Sequence, residues 1–364
     1  MPRKSNPEAH LIQTAPMHGD NAMPLIAIDA MGGDQGPDPL VRGAALALRE
    51  GTRFKPMFFG DKPAIDAIIA TESNLADAIV VHADDVVSMT DKPSHVIRRG
   101  RGTSMWTAIE HVALGKADAI VSGGNTGALM AVSRLQLKMI EGVDRPAVTA
   151  LWPSPKGKVV VLDVGANVEA NEDQLVGFAI MGEAFFRALT GKAKPTVGLL
   201  NVGAEELKGH ELIRNAARVL READPDMAFE GFVEGNDISR GKVDVVVTDG
   251  FSGNIALKSA EGAARLVGGF MKEALTSSWR SKFAALLMKP ALTKLRSQID
   301  PSSANGGVFL GVNGIVVKSH GGADAKAVGS AVTVAASLAG KSFRDEVAET
   351  VRVVFSRTKK VAAE

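Results

Sequence analysis

The chain has 364 residues, 45% of them hydrophobic and 23% charged, with a formal net charge of +1. That length suits one large α/β domain or two ordinary ones with a sizeable core, and the near-neutral balance offers no global pull toward nucleic acid or anionic lipid. The absence of Cys excludes a disulfide framework, a thiolate zinc site and a cysteine nucleophile, in keeping with a reducing cytoplasm, and no apolar run approaches the ~18 residues of a spanning helix.

Residues 1–23 lack the apolar segment of a signal peptide and mix Pro, His, Asn and isolated charges. They read as a disordered tail, with Met23 a candidate alternative translation start. From residue 24 short apolar runs alternate with longer amphipathic stretches, the signature of βαβ units and a largely parallel sheet. A strand at Ile26–Asp29 leads past Pro37 and Pro39 into a helix through Leu48. Strands follow at Pro56–Gly60 and Ala78–His82, a helix at Thr103–Leu114, a strand at Ile120–Val121 and a helix at Thr126–Ile140. Strands at Ala147–Leu151 and Lys158–Val164 precede a helix over Asp173–Leu189. The pattern continues with Thr196–Asn201, a helix from Glu205, strands at Phe229–Val233 and Val243–Thr248, and a helix from Asn254. No Pro/Ser-rich linker interrupts this series and no repeat is visible. Residues 24–345 therefore read as a single catalytic domain, a doubly wound, largely parallel sheet with helices on both faces. Residues 346–364 read as a helix end and tail.

Residues 272–300 stand apart as an amphipathic helical hairpin projecting from that domain. Trp279, Phe283, Leu286 and Leu287 share one helical face, and Lys272–Arg296 holds six basic residues against one acidic. Pro290 is expected to break or kink the segment. The face suits ordinary packing on the domain or a dimer partner, and equally a membrane surface or an acidic protein.

Five apolar strands run straight into turns of Gly, Asp and Asn. These are Asp29–Asp34, Ser122–Gly127, Asp163–Asn167, Asn201–Gly203 and Asp249–Asn254. Open α/β sheets bind ligands beyond the carboxyl ends of their strands, where Gly lets a ligand approach the backbone. The polar chemistry is thus expected on one rim of the sheet, as in a small-molecule enzyme. Gly123-Gly124-Asn125-Thr126-Gly127 is the best anion site, with Thr126 placed to cap a helix and Asn125 and Thr126 offering side-chain donors. Asp29, Asp34, Asp163 and Asp249 suit the orienting of turns, while Asn167, Asn201 and Asn254 are donor candidates.

Several chemistries are excluded by spacing. There is no Walker A sequence, no G-x-G-x-x-G opening the first helix and no H-E-x-x-H, so neither an ordinary dinucleotide fold nor a metal site is expected. Ser252 lacks the following Gly of a nucleophile elbow, Asn254 standing there instead, and suits a turn, a helix cap or a donor to ligand. His320 is an isolated histidine in a polar stretch. Lys208, taken alone, suits a solvated helix face, and Lys318 in Lys318-Ser319-His320-Gly321-Gly322 invites the same caution. Arg98, Arg99 and Arg101 form a small basic cluster, either a solvated loop or a docking patch for something acidic.

These motifs together resemble the bacterial acyl-acyl carrier protein:phosphate acyltransferase family. The resemblance rests on Ile-Asp-Ala-Met-Gly-Gly-Asp at 28–34, Ser-Gly-Gly-Asn-Thr-Gly-Ala-Leu-Met at 122–130 and Leu-Asp-Val-Gly-Ala-Asn at 162–167. It extends to Gly-Leu-Leu-Asn-Val-Gly at 198–203, Asp-Val-Val-Val-Thr-Asp-Gly-Phe-Ser-Gly-Asn at 244–254 and Ser-His-Gly at 319–321. It runs in order from about Leu25 to Phe343, with Gly123 where the family often has Ala. It implies a fold like those of phosphate acetyltransferases and isopropylmalate dehydrogenases, a homodimer, and no cofactor. The implied reaction moves a long-chain acyl group from acyl carrier protein to inorganic phosphate. Acyl phosphate then feeds a membrane acyltransferase that acylates glycerol 3-phosphate in phospholipid synthesis. The resemblance raises Lys208 to a charge-neutralising catalytic role beside Asn201 and Asn254, makes Arg98, Arg99 and Arg101 candidates for carrier docking, and associates the hairpin with the inner face of the cell membrane. Three other readings stay open: a short-chain acyl-CoA phosphate acyltransferase, a dehydrogenase of similar topology, and a non-catalytic membrane-docking scaffold.

Overall fold

The structure, a computed structural model, describes residues 23–223, 227–293, 306–339, 343 and 347–353. Its strands are β1 (Leu25–Asp29), β2 (Lys55–Gly60), β3 (Ile79–His82), β4 (Ala119–Ser122), β5 (Ala147–Ser154), β6 (Gly157–Leu162), β7 (Thr196–Leu200), β8 (Ala228–Val233), β9 (Val245–Val247), β10 (Gly307–Leu310) and β11 (Ile315–Lys318). The helices are α1 (Pro37–Arg49), α2 (Lys62–Ile69), α3 (Pro93–Arg99), α4 (Ser104–Ala113), α5 (Thr126–Leu137), α6 (Glu172–Thr190), α7 (Glu211–Ala223), α8 (Gly235–Arg240), α9 (Gly250–Thr276), α10 (Trp279–Leu287) and α11 (Ala325–Ala339). The expected tail at 1–23 lies outside the described residues but for Met23, as does most of 346–364. Residues 347–353 are helical.

Alternation along the strands sorts the core into two layers. Ile26, Ile28, Val160, Leu162, Val245 and Val247 face one layer, packed by α1, α6, α7 and α11. Ala27, Val159, Val161 and Val246 face the other, packed by α4, α5 and α8. Successive strand side chains point to opposite faces, so a run buried on both sides reads as unbroken Val and Ile. That is the doubly wound arrangement the apolar runs imply.

The sheet order is β3-β2-β1-β4-β11-β10-β5-β6-β9-β7-β8. Most neighbours are parallel, but β11–β10, β10–β5 and β5–β6 are antiparallel. Three successive reversals leave β6, β9, β7 and β8 running opposite to β3, β2, β1, β4 and β11. The glycine turns therefore do not share one rim, as the motif pattern had suggested. Those after β1, β4 and β11 form one group, and those after β6, β9 and β7 form another.

Three helix boundaries differ from expectation. The helix from Thr126 stops at Leu137, because Lys138 takes φ 64°. The helix expected from Glu205 begins only at Glu211. Gly209 takes φ +84° there, and Asn201 Nδ2 donates to the Lys208 carbonyl at 2.9 Å, holding residues 201–210 as a loop. The helix expected from Asn254 starts at Gly250, where Asp249 accepts the Ser252 N–H at 2.7 Å.

The segment expected as a hairpin is helical over its described part. Residues 272–276 end the long helix α9, Ser278 caps α10, and a new helical stretch opens at 289 with Pro290 in its first turn, where a missing N–H costs nothing. Lys294, Arg296 and the remainder to 300 lie outside the described residues. Trp279, Phe283, Leu286 and Leu287 are 60–75% exposed, so the domain does not bury that face.

Candidate active site

The turns after β1, β4 and β11 meet because those strands are neighbours. Ser319 N–H donates to the Ser122 carbonyl and Asp34 N–H to the Gly321 carbonyl, each at 2.9 Å. A Cβ at Gly123 would sit 2.4 Å from the Gly32 carbonyl, so the close approach of the two turns requires glycine there. Gly32, Gly33, Gly123, Ser319, His320 and Gly321 line a narrow cleft, with Gln35 and Gly36 beside them and Pro39, Leu40, Ala323 and Val328 completing its wall.

Beneath the turns lies a buried charge network. Asp29 is 1% exposed and accepts hydroxyl hydrogen bonds from Ser104 Oγ and Ser122 Oγ, both at 2.6 Å. Burial raises its pKa, opposed by those two hydroxyls, a backbone hydrogen bond and the charge of Lys318. Lys318 Nζ donates to the Gly123 carbonyl at 3.1 Å and to the Ser319 carbonyl. Burial pushes its pKa down to about 8, against the pull of Asp29 and Asp34 and with the repulsion of Lys258. An ammonium thus stands directly behind the glycine turns, tying two of them by their carbonyls.

His320 is exposed at the mouth, and its Nδ1 accepts the Gly322 N–H at 3.1 Å. Burial and the charges of Lys258, Lys318 and Arg265 lower its pKa, with Glu261 opposing. Lys258, Glu261 and Arg265 belong to α9, which begins at the second group of turns. That helix, about 40 Å long at 1.5 Å per residue, joins the two groups electrostatically.

Asn125 differs from its expected role. It, and not Thr126, caps α5: its Oδ1 accepts the Ala128 N–H at 3.1 Å. Its Nδ2 donates to the carbonyls of Ser88, Met89 and Asp91 at 3.3, 2.9 and 2.9 Å. The side chain is therefore committed to the protein, and only its backbone N–H is disposed toward an anion. Thr126 is exposed in the first turn of α5, where its N–H and that of Gly127 have no acceptor within the helix.

The second group is held by Asp163. Its Oδ1 accepts the N–H groups of Val148, Gly165 and Ala166 at 2.9–3.1 Å, and its Oδ2 accepts the backbone and side-chain N–H of Asn167 at 2.7 and 2.8 Å. Asn167 spends its other side-chain N–H on the Pro146 carbonyl. Asn254 donates to the Val164 carbonyl at 3.1 Å. Ser252 lies at the third position of α9, its N–H taken by Asp249, the true cap. Lys208 is on the exposed 201–210 loop, paired with Glu205 at 2.8 Å, which raises its pKa. It does not line the cleft, nor is it among the charges acting on Lys318 or His320. Arg98, Arg99 and Arg101 are exposed at and beyond the end of α3.

Lys318 is thus the group that sequence reasoning undervalued. Its signal was positional: a lone Lys at the end of an all-apolar strand, immediately before Ser-His-Gly-Gly. What hid it was that β11 lies next to β4, a pairing across 195 residues.

The class of protein follows from this frame. The fold matches a phosphotransacetylase from Streptococcus pyogenes with a TM-score of 0.59 over 87% of this chain and 94% of that one, at 17% identity. A 4-hydroxythreonine-4-phosphate dehydrogenase from Salmonella typhimurium shares it more loosely, at a TM-score of 0.51 and 13% identity over 87% and 99% of the two chains. The sequence is more specific. Residues 25–346 match the model of a family described as fatty acid synthesis protein. The phosphate acyltransferase of Maricaulis maris is 53% identical over 330 residues, 90% of this chain and 94% of its own. The chain belongs to the phosphate acyltransferase family and is a phosphate acyltransferase of lipid synthesis.

A Lys318 ammonium that must stay charged gives the enzyme an alkaline limit. Turnover is expected to fall as pH rises through about 8. A lysine whose folded pKa lies below its unfolded value makes the fold more stable as pH rises between the two, so this loss is not unfolding. Lys318→Met is expected to lower kcat and to abolish the inflection in a pH–rate profile. An unchanged inflection in the variant would assign it to another group.

Proposed function

We propose that the enzyme transfers a long-chain acyl group from acyl carrier protein to inorganic phosphate, reversibly, and that phosphate binds in the opening between Gly33, Gly123 and His320. The observation that supports this most is the convergence of three glycine turns on one narrow cleft backed by the Lys318 charge. A thioester is already activated, so no covalent enzyme intermediate is needed. An oxygen of bound hydrogen phosphate forms the new C–O bond at the thioester carbon. The tetrahedral oxyanion then collapses, the C–S bond breaks, and the phosphate proton passes to the departing thiolate. The protein's work is to hold the two reactants together and to stabilise the oxyanion. The N–H groups of Thr126 and Gly127 in the first turn of α5, which lack helical acceptors, suit the phosphate. Lys318 lowers the cost of gathering negative charge there without touching it.

Lys208, on the loop after β7 that Asn201 holds, is proposed to reach the developing oxyanion from the second group of turns once Glu205 releases it. An exposed pair of this kind contributes little to folding. Lys208→Ala is therefore expected to lower turnover more than tenfold with the melting temperature unchanged. Near-normal kinetics would remove Lys208 from the mechanism.

The carrier, an acidic protein as a class, is proposed to dock on Arg98, Arg99 and Arg101. The enzyme is proposed to act as a homodimer on the cytoplasmic side of the membrane, delivering acyl phosphate to the acyltransferase that consumes it. No helix among the described residues is long and apolar enough to cross a membrane. Surface contact instead falls to the exposed face of α10, where Arg280 also stands over Trp279. Phe283→Asp is expected to reduce sedimentation with anionic liposomes severalfold. Undiminished binding would leave that face to a protein partner.

The direct test mixes pure protein, palmitoyl-acyl carrier protein and inorganic phosphate, and traps acyl phosphate with hydroxylamine. Phosphate-dependent product is expected from the carrier thioester. Product from palmitoyl-CoA alone would move the enzyme to the CoA-using class, and none from either would leave a scaffold.

A further inference from the structure

Residues 85–104 form a strap closed on itself. Asp85 pairs with Thr103 as an isolated parallel bridge, and Ser104 N–H donates to the Asp85 carbonyl at 3.0 Å. Between these ends the chain makes a tight turn at 88–91, in which Asp91 Oδ2 accepts the Ser88 N–H at 2.8 Å, and then forms α3. The far end of α3 carries Arg98 and Arg99, with Arg101 just beyond.

The strap touches the proposed phosphate site at three points. Asn125 shares its two side-chain N–H groups among the carbonyls of Ser88, Met89 and Asp91. Pro93, the first residue of α3, packs so closely on Gly127 that a Cβ there would lie 2.9 Å from its ring. Met89 Cε lies 3.0 Å from where a Gly321 Cβ would stand, across the opening from Asn125. The base of the strap is tied as well, since Ser104 Oγ donates to the buried Asp29. One segment thus carries the basic cluster at its outer end and rests on two of the three glycine turns at its inner end.

We propose that Asn125 is a positioning residue that latches this strap to the anion-binding turn, so that an acidic protein docked on Arg98, Arg99 and Arg101 and an inorganic phosphate in the opening bind cooperatively. The coupling rests on the carrier-docking reading above. It is reciprocal by linkage: whatever factor phosphate adds to carrier affinity, the carrier adds to phosphate affinity. Asn suits this position because one side chain both caps α5 and donates outward. Ser caps equally well but has no N–H groups to offer the strap.

Asn125→Ser therefore separates the latch from the cap. Hydrogen exchange in the variant is expected to be at least tenfold faster over 86–99 and unchanged over 126–137. In the wild-type protein inorganic phosphate is expected to slow exchange over 86–99, and saturating phosphate to lower the Kd for an unreactive palmitoyl thioether of acyl carrier protein at least threefold. In Asn125→Ser that factor is expected to fall to one. Equal exchange rates in the two proteins, or an equal factor, would overturn the latch. Failure of the docking reading looks different: Arg98→Glu would leave carrier affinity untouched while phosphate still slowed exchange in the strap.

Discussion

A carboxylate buried at the end of a strand must have its oxygens satisfied, and at Asp29 that requirement organises the site. Its two oxygens draw in Ser104 from the start of α4 and Ser122 from the end of β4. A Cβ at Gly32 would lie 2.4 Å from Asp29 Oδ2, so the turn after β1 is pressed onto the same carboxylate. The Lys318 ammonium offsets the buried charge and in turn binds the carbonyls of Gly123 and Ser319. The carbonyls of Gly123 and Ser319 are consequently held inward, and positive charge lies directly behind the turns.

The other group of turns obeys the same logic with a different partner. Asp163 is fully buried and satisfied by the backbone N–H groups of Gly165, Ala166 and Asn167 in its own turn, by that of Val148 and by the Asn167 side chain. It builds a rigid shelf from which α9 departs. The sheet reverses between β11 and β6, so this shelf belongs to strands of the opposite direction, and α9 runs from it toward His320. Lys258, Glu261 and Arg265 on that helix act on His320, so a change at the start of α9 has a physical route to the anion site.

Much of this was legible in the residues. The unbroken apolar runs at Ile26–Ile28, Val159–Leu162 and Val245–Val247 announced strands buried on both faces, and the Gly/Asp/Asn turns marked their carboxyl ends. Strand direction was not legible, because period-2 patterning is identical for parallel and antiparallel neighbours. The role of Asn125 was misjudged for a related reason: a turn rich in donors looks the same whether those donors face a ligand or residues 88–91. Lys208 drew attention by its motif, and Lys318 was passed over because its partners, Gly123 and Asp29, are distant in the chain. The hairpin's apolar face was read correctly from its spacing, since helical periodicity is a local property.

The central claim is that phosphate sits where the turns after β1, β4 and β11 meet. A crystal structure of the protein with bound inorganic phosphate tests it most directly. The expected result is tetrahedral density within hydrogen-bonding distance of backbone N–H groups in the Gly33, Gly123 and Gly127 turns, with Lys318 behind it. Density instead at the Asp163–Asn167 and Asp249–Asn254 turns would contradict the account and return the chemistry to the rim that holds Lys208.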